Sequence, residues 1–471
     1  MKKAARAIVL LADGARSDVF FELLEQGHLP NVKKYLSDPG LALPAVTSFP
    51  STTGPAYLPF LTGAFPGTCN VPGIRWFDKK RYETKGRFSF NRYRSYVGLE
   101  SFLIGRDLAP QIKTIFELTP DSYSIFNPIA RGSGFRNKTR YSRIWYWYYS
   151  HLTDHWSLAD EAGLKKTLKV LGQGCKFVFT VLPGIDEYSH LTHPRHKKVI
   201  ERYLWLDQAI GQIAEFLIKR NKWQDTALWL VSDHGLSKTD QHFCLNTFLE
   251  EKGWPAFYYP LIFNKKGKTS ASMVSGNGMA HIYFKNTKGW AGKITYNKLR
   301  NLIPDIFESL LEHKAIDIIA CQDDHNSIRV LSRLGQARIR QEKNKFFYET
   351  DGSDPFGYNN LPNHSLSAQE LLAATLNTNY PDAPFQIAQL FTSERTGDLV
   401  LSATPGYDLR LKYENPEHKA SHGSLHRSHM LVPILCNQAY LKRPMRTVDV
   451  FPTILESLGL SIPEYVEGEA L

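Results

Sequence analysis

Apolar positions along the chain follow two alternating rhythms. Short unbroken runs occur at 7–12 (AIVLLA), 177–182 (FVFTVL), 227–232 (ALWLVS) and 431–435 (LVPIL), each the length of a strand buried on both faces. Between the second and third, Val199, Tyr203, Leu206, Ile210, Ile213 and Leu217 recur at steps of three and four, which predicts a helix with one apolar face. Strand, crossover helix and strand in succession predict an α/β fold on a largely parallel sheet. From about 265 to 395 the texture changes to short β-like pieces (HIYF, IDIIAC, IRVLS), turn residues and the loop DGSDPFGYNNLPN. This stretch reads as an inserted cap, leaving 1–264 and 396–471 for the core. No internal repeat or low-complexity tract is evident.

Composition narrows the class. With 471 residues, 42% of them hydrophobic, the chain can bury a large core and exceeds one ordinary compact domain. A formal net charge of +11 favours anionic partners such as phosphates, nucleic acid or a lipid surface. Cys69, Cys175, Cys244, Cys321 and Cys436 are scattered, odd in number and form no CxxC pair, which points away from a disulfide framework or a cysteine metal site and toward a reducing cytoplasm. The N-terminal MKKAARAIVLLADGAR has a basic start, but its apolar run is shorter than the roughly 7 to 15 residues of a secretion signal and an acid follows it at once. No stretch approaches the roughly 20 apolar residues of a membrane span, so a soluble or peripheral protein is expected.

The polar residues that end the strands carry the candidate chemistry, because ligands of open α/β sheets gather at the carboxyl ends of strands. Asp13 follows the first run, Asp186 and His190 follow the second in the spacing DxxxH, and Asp233 and His234 follow the third. His422 stands in SHGSLH ahead of the fourth. Singly, an Asp after a strand is most often a helix cap or turn residue. Together, three aspartates and three histidines can hold two borderline divalent cations, Zn²⁺ first, with Mn²⁺ or Fe accepted by the same donors. His193, His196, His426 and His429 beside them read better as supporting or surface histidines. In TSFPSTTGPAYLPFLTG, Ser51, Thr52 and Thr53 are adjacent hydroxyls, and any of them can be a nucleophile at a helix N-terminus or merely its cap.

In this order, Asp13-Gly14, TGPAYLPFLTG, DEYSH, SDHG and SHG resemble the alkaline phosphatase superfamily, and most closely its nucleotide pyrophosphatase/type I phosphodiesterase branch. The likeness covers most of 1–240 and 415–471, including TVDVFPTILESLGLSIPEYVEGEAL; within the insert, AIDIIACQDDHNSIRVLSRLGQARI is similar to the small cap of phosphonoacetate hydrolase-like members. The resemblance implies an α/β/α sandwich with a central mostly parallel sheet and a smaller cap. It selects Thr53, which opens a TxPxxxxxxTG-like segment, as nucleophile. It assigns Asp186, His190 and His422 to one metal, and Asp13, Asp233, His234 and the Thr53 oxygen to the other. It implies in-line attack on phosphorus and a phospho-threonine intermediate that water hydrolyses.

Departures fall outside these ligands. Members of that branch carry an Asn shortly after the nucleophile helix; here the chain reads NVPGIRWFD, and Arg75 or Asn70 is the expected replacement as a phosphoryl contact. No CxPxR motif surrounds Thr53, which argues against a sulfatase. The expected substrate is a phosphate-bearing small molecule or lipid head group, cleaved as a diester or pyrophosphate, with a phosphomonoester or phosphonate as alternatives. The Thr53 context argues against a phosphoglycerate mutase-like isomerase, and the complete ligand set against a catalytically silent binding module. No stable nucleic-acid partner is expected. The stretch RGSGFRNKTRYSRIWYWYY, residues 131–149, reads as packed structure, with peripheral contact to an anionic membrane or base stacking as the alternatives. Oligomeric state is left open.

Overall fold

The computed structural model describes residues 3–85, 90–324, 326–359, 361, 364–412 and 417–471. Positions 360, 362 and 363 of the expected 351–363 loop therefore lie outside the described residues. Among the described residues the core is a six-stranded sheet in the order Leu41–Val46, Leu431–Cys436, Thr226–Val231, Arg6–Ala12, Phe177–Leu182 and Ser122–Ile125. All four apolar runs are strands of this one sheet. Phe177–Leu182 and Thr226–Val231 are buried at every position, so both faces of the sheet are covered. The helix Lys197–Ile218 buries Val199, Tyr203, Leu206, Ile210, Ile213 and Leu217, the stripe read from the sequence.

The sheet is mixed. Arg6–Ala12 pairs in parallel with Phe177–Leu182 and with Thr226–Val231, and Ser122–Ile125 extends the parallel set. Leu431–Cys436, expected within a parallel arrangement, runs antiparallel to both neighbours. The reason lies in the segment before it: His422 already sits at the carboxyl edge of the parallel strands, so a strand that starts there can only run back. Strand direction therefore does not break the rule that ligands gather at one edge.

A second, nine-stranded sheet uses the pieces HIYF, IDIIAC and IRVLS as parts of the strands Met279–Phe284, Ile316–Gln322 and Ile328–Ser332. It begins with Ala256–Phe257, ahead of 265, and takes an interior strand from Leu399–Ala403, beyond 395. This strand pairs antiparallel with Met279–Phe284 on one side and Ile316–Gln322 on the other. The turn between Ser270–Ser275 and Met279–Phe284 carries Asn277 at φ 62, and a bridge from Asn277 to His422 ties this sheet to the core's site edge. Among the described residues no helix is long and apolar enough to cross a membrane. All five cysteines are free.

Candidate metal and phosphoryl-transfer site

The central strands deliver their terminal residues to one point. Arg6–Ala12 ends at Asp13, and Thr226–Val231 leads through Ser232 to Asp233 and His234. Phe177–Leu182 runs into the helix Gly184–Leu191, where Asp186 and His190, four apart, share a face with His190 Nε2 3.4 Å from Asp186 Oδ2. Ligand atoms of Asp186, His190 and His422 lie within 4.8 Å of one another, and so do those of Asp13, Asp186 and His234. Asp186 thus belongs to both groups. Asp233, expected in the second group, keeps Oδ2 3.1 Å from His234 Nε2 while its Oδ1 accepts the Gly14 N–H at 3.2 Å.

The imidazoles are oriented alike. Nδ1 faces a backbone carbonyl in each: Ala420 O at 2.7 Å for His190, Gly235 O at 3.2 Å for His234 and Ser51 O at 3.2 Å for His422. A carbonyl only accepts, so Nδ1 carries the hydrogen and the Nε2 lone pair is left for a cation. His234 and His422 stack with ring centroids 3.8 Å apart. His429 differs: its Nδ1 accepts from Ser424 N and its Nε2 meets Ser237 Oγ, so it braces the loop behind the site. His426 and His196 cap helices, each accepting a backbone N–H two residues on.

Electrostatics shows what the donor set lacks. Burial, then the charge of Asp186, pushes Asp13 up to about 8, and burial with Asp13 and Asp186 beside it raises Asp233 well above the carboxylate range. Burial opposes charge on His190, but Asp186 overrides it and lifts that imidazole to about 10. Burial holds His234 down at about 4 and His422 well below its ordinary value. Asp186 Oδ1 and Asp233 Oδ2 are buried without any hydrogen-bond partner. Buried, crowded carboxylates with orphaned oxygens, the neutral imidazoles of His234 and His422 beside them, and a His190 held charged by Asp186 where no cation is bound fit divalent cations.

Of the three adjacent hydroxyls, only Thr53 reaches this cluster. Its Oγ1 lies 3.2 Å from Asp13 Oδ1 and 3.0 Å from His234 Nε2. Ser51 Oγ donates to Ser424 O at 2.8 Å, and Thr52 is fully buried. Gly54, at φ 93, turns the chain sharply after Thr53 into the short Pro55–Tyr57 and Leu58–Thr62 helices.

A cavity of about 540 Å³ opens over Asp13, Thr53, Asp186, His190 and His422. Arg75 lines it, with Nη1 donating to Val274 O at 2.8 Å and Nε to Ser95 Oγ at 3.1 Å. Asn70 does not line it: its side chain accepts from Ser393 Oγ at 2.7 Å and its carbonyl from Arg395, because the left-handed turn at φ 58 directs it toward 393–395. Asp233 and His234 sit behind the cavity wall.

Sequence reasoning missed several residues of this wall. Tyr57 donates its hydroxyl to Asp13 Oδ2. Glu187 is half-buried and pushed up to about 8 by desolvation and then by Asp186. Asn277, whose Nδ2 donates to Asp408 Oδ2 at 2.8 Å, joins Arg410 and His418 on the far side, and the His418 ring lies 4.2 Å from that of His190. His418 and Glu187 had a signal, since each lies within four residues of a ligand motif; Asn277 and Arg410 had none.

Gly14 holds the cluster's spacing. At φ +72, a Cβ there would lie 2.8 Å from Asp186 Cβ and 2.9 Å from Asp186 Cα. Gly14→Ala is expected to displace Asp186 and lower kcat/KM by about 100-fold while circular dichroism stays that of the parent; unchanged activity with unchanged metal content would show that the spacing is not needed.

Comparison with known proteins identifies the fold and the family. No curated protein is similar enough in sequence to match the chain. Among solved structures, an inactive murine ectonucleotide pyrophosphatase/phosphodiesterase 5 in complex with AMP superposes with a TM-score of 0.60 at 13% identity, covering 98% of this chain and 96% of that one. Phosphonoacetate hydrolase from Sinorhizobium meliloti, in complex with phosphonoformate, gives a TM-score of 0.58 at 13% identity, covering 97% and 96%. The family described as type I phosphodiesterase / nucleotide pyrophosphatase matches residues 7–425, and its members are metal-dependent. The chain therefore belongs to the type I phosphodiesterase/nucleotide pyrophosphatase family, within the alkaline phosphatase superfamily, and is a phosphoric ester hydrolase.

Proposed function

We propose that the chain cleaves phosphodiester or pyrophosphate-type bonds, with Thr53 as nucleophile and two divalent cations as cofactors. The observation that carries this reading is the position of Thr53 Oγ1, within 3.2 Å of Asp13 and 3.0 Å of His234 at the wall of the cavity. Asp186, His190 and His422 would hold one ion; Asp13, Asp233, His234 and the Thr53 oxygen would hold the other, with Asp186 close to both. Such cations, when bound, supply Lewis acidity that favours the Thr53 alkoxide and balances charge on the phosphoryl oxygens.

The chain's own residues do the rest. Asp13 orients the Thr53 hydroxyl, and Tyr57 fixes Asp13 from the other side. Thr53 Oγ1 gives up its proton to solvent and attacks phosphorus in line, the bond to the leaving oxygen breaks with its electron pair going to that oxygen, and phospho-threonine forms. Water then displaces phosphorus from Thr53, and the hydroxyl regains its proton. The buried carbonyl contacts at Nδ1 keep the three imidazoles facing inward throughout.

A diester presents one negative charge at the reacting phosphorus, which two cations and one donor balance; a monoester dianion needs more. We expect kcat/KM for bis-p-nitrophenyl phosphate, or for a nucleotide p-nitrophenyl ester, to exceed that for p-nitrophenyl phosphate by about tenfold or more at matched pH and metal. Arg75 and Arg410 on the cavity wall favour the second reading, a phosphomonoesterase or phosphonate hydrolase, since guanidinium can supply the missing charge. A clear monoester preference would select it.

A further inference from the structure

The helix Arg140–Thr153 carries aromatic side chains on its outward as well as its inward face, whereas an ordinary surface helix turns a polar face to water. Tyr146 and Trp147 pack on Phe126, with ring centroids at 5.4 and 5.5 Å, and Arg143 points the same way, its Nε donating to Phe126 O at 2.9 Å. The outward stripe is apolar: Tyr141 is 70% exposed, Trp145 58% and Leu152 85%, with Tyr148 and Tyr149 between them. Phe135, 72% exposed, meets Tyr141 edge-on, and Trp145 stacks on Tyr149 at 5.2 Å. Exposed Val97 and Leu99 continue the patch, and both, with Tyr148, also line the cavity over Thr53. A connected exposed apolar surface of this kind marks a contact with something absent from the chain.

We propose that this stripe docks on a phospholipid bilayer containing anionic lipid and sets the mouth of the cavity against the head groups. Charge selects the occupant. Residues 122–153 contain Arg131, Arg136, Lys138, Arg140 and Arg143 and no Asp or Glu. Arg131 is engaged by Glu117 and Arg143 by Phe126 O, while Arg136 and Arg140 are exposed. The nearby acid Glu100 accepts the Ser95 N–H, and Asp154 follows the helix end. A second copy would set this basic face against itself. An oligonucleotide would leave Leu152, the most exposed member, without a partner. Tyr and Trp with flanking Arg and Lys are the side chains that settle at the head-group level of a bilayer.

Vesicle co-sedimentation tests this without relying on catalysis. The chain is expected to pellet at physiological salt with phosphatidylcholine vesicles carrying about one-third phosphatidylglycerol, and much less with phosphatidylcholine alone. The double substitution Trp145→Ser, Leu152→Ser is expected to weaken this partition by about tenfold or more, with Tm and turnover of a soluble chromogenic diester unchanged. The proposal is overturned if neither vesicle pellets the chain or if the double variant pellets equally well. It is also overturned if the chain prefers a single-stranded oligonucleotide, or proves a dimer that the substitutions dissociate.

Discussion

Replacing Thr53 with Ala is expected to lower kcat by about 10³-fold to 10⁶-fold, the scale of losing a covalent nucleophile, with KM for a chromogenic diester little changed. The side chain is partly exposed and packs into no apolar cluster, so the thermal transition should stay that of the parent. Thr53→Ser should recover part of the rate, since a hydroxyl at the same carbon meets Asp13 and His234. Thr52→Ala is the control: that side chain is fully buried and its oxygen has no hydrogen-bond partner, so its loss leaves the reacting centre intact. Near-normal turnover in Thr53→Ala would remove the covalent route.

The second large effect is expected from the cations. Elemental analysis should find about two divalent ions per chain, and chelation should abolish turnover and lower Tm together, because ions that bind only the folded chain stabilise it by mass action. Without them, three carboxylates remain buried together, and the upward shifts of Asp13 and Asp233 express that cost. Asp186→Asn should be the most damaging single ligand change, since Asp186 belongs to both ligand groups; both ions should be lost or weakened, and turnover should fall by about 10³-fold or more. A chain without bound metal, inactive after addition of Zn²⁺ or Mn²⁺, would sink the two-cation reading.

Legibility in the sequence tracked burial. The four core strands stood out because they are almost wholly apolar and lead to an Asp or follow a His motif. Leu41–Val46, with exposed Pro44 in its middle, and Ser122–Ile125, short and half polar, did not, because strands at a sheet's edges lack that pattern. Direction was illegible at Leu431–Cys436, since an apolar run reads the same both ways along a sheet. In the second sheet, Gln336–Glu342 and Lys345–Asp351 carry charged, exposed side chains and were not singled out as strands. The site divides likewise. Residues tied to strand ends were readable, while Asn277 and Arg410 reach the cavity from loops whose position depends on how the second sheet meets the core.

The bridge between Asn277 and His422, and the reversed strand that follows, also set an order of events. Asp13, Asp186, Asp233 and His234 leave a translating ribosome well before His422, and the strand that anchors His422 inserts between Leu41–Val46 and Thr226–Val231. Until then the sheet has a gap and the cluster lacks a nitrogen donor. Closing contacts this distant in sequence is the slow part of folding. A nascent chain that has not yet added Leu431–Cys436 therefore carries the Asp13, Asp186 and His234 cluster without the His422 imidazole packed against it.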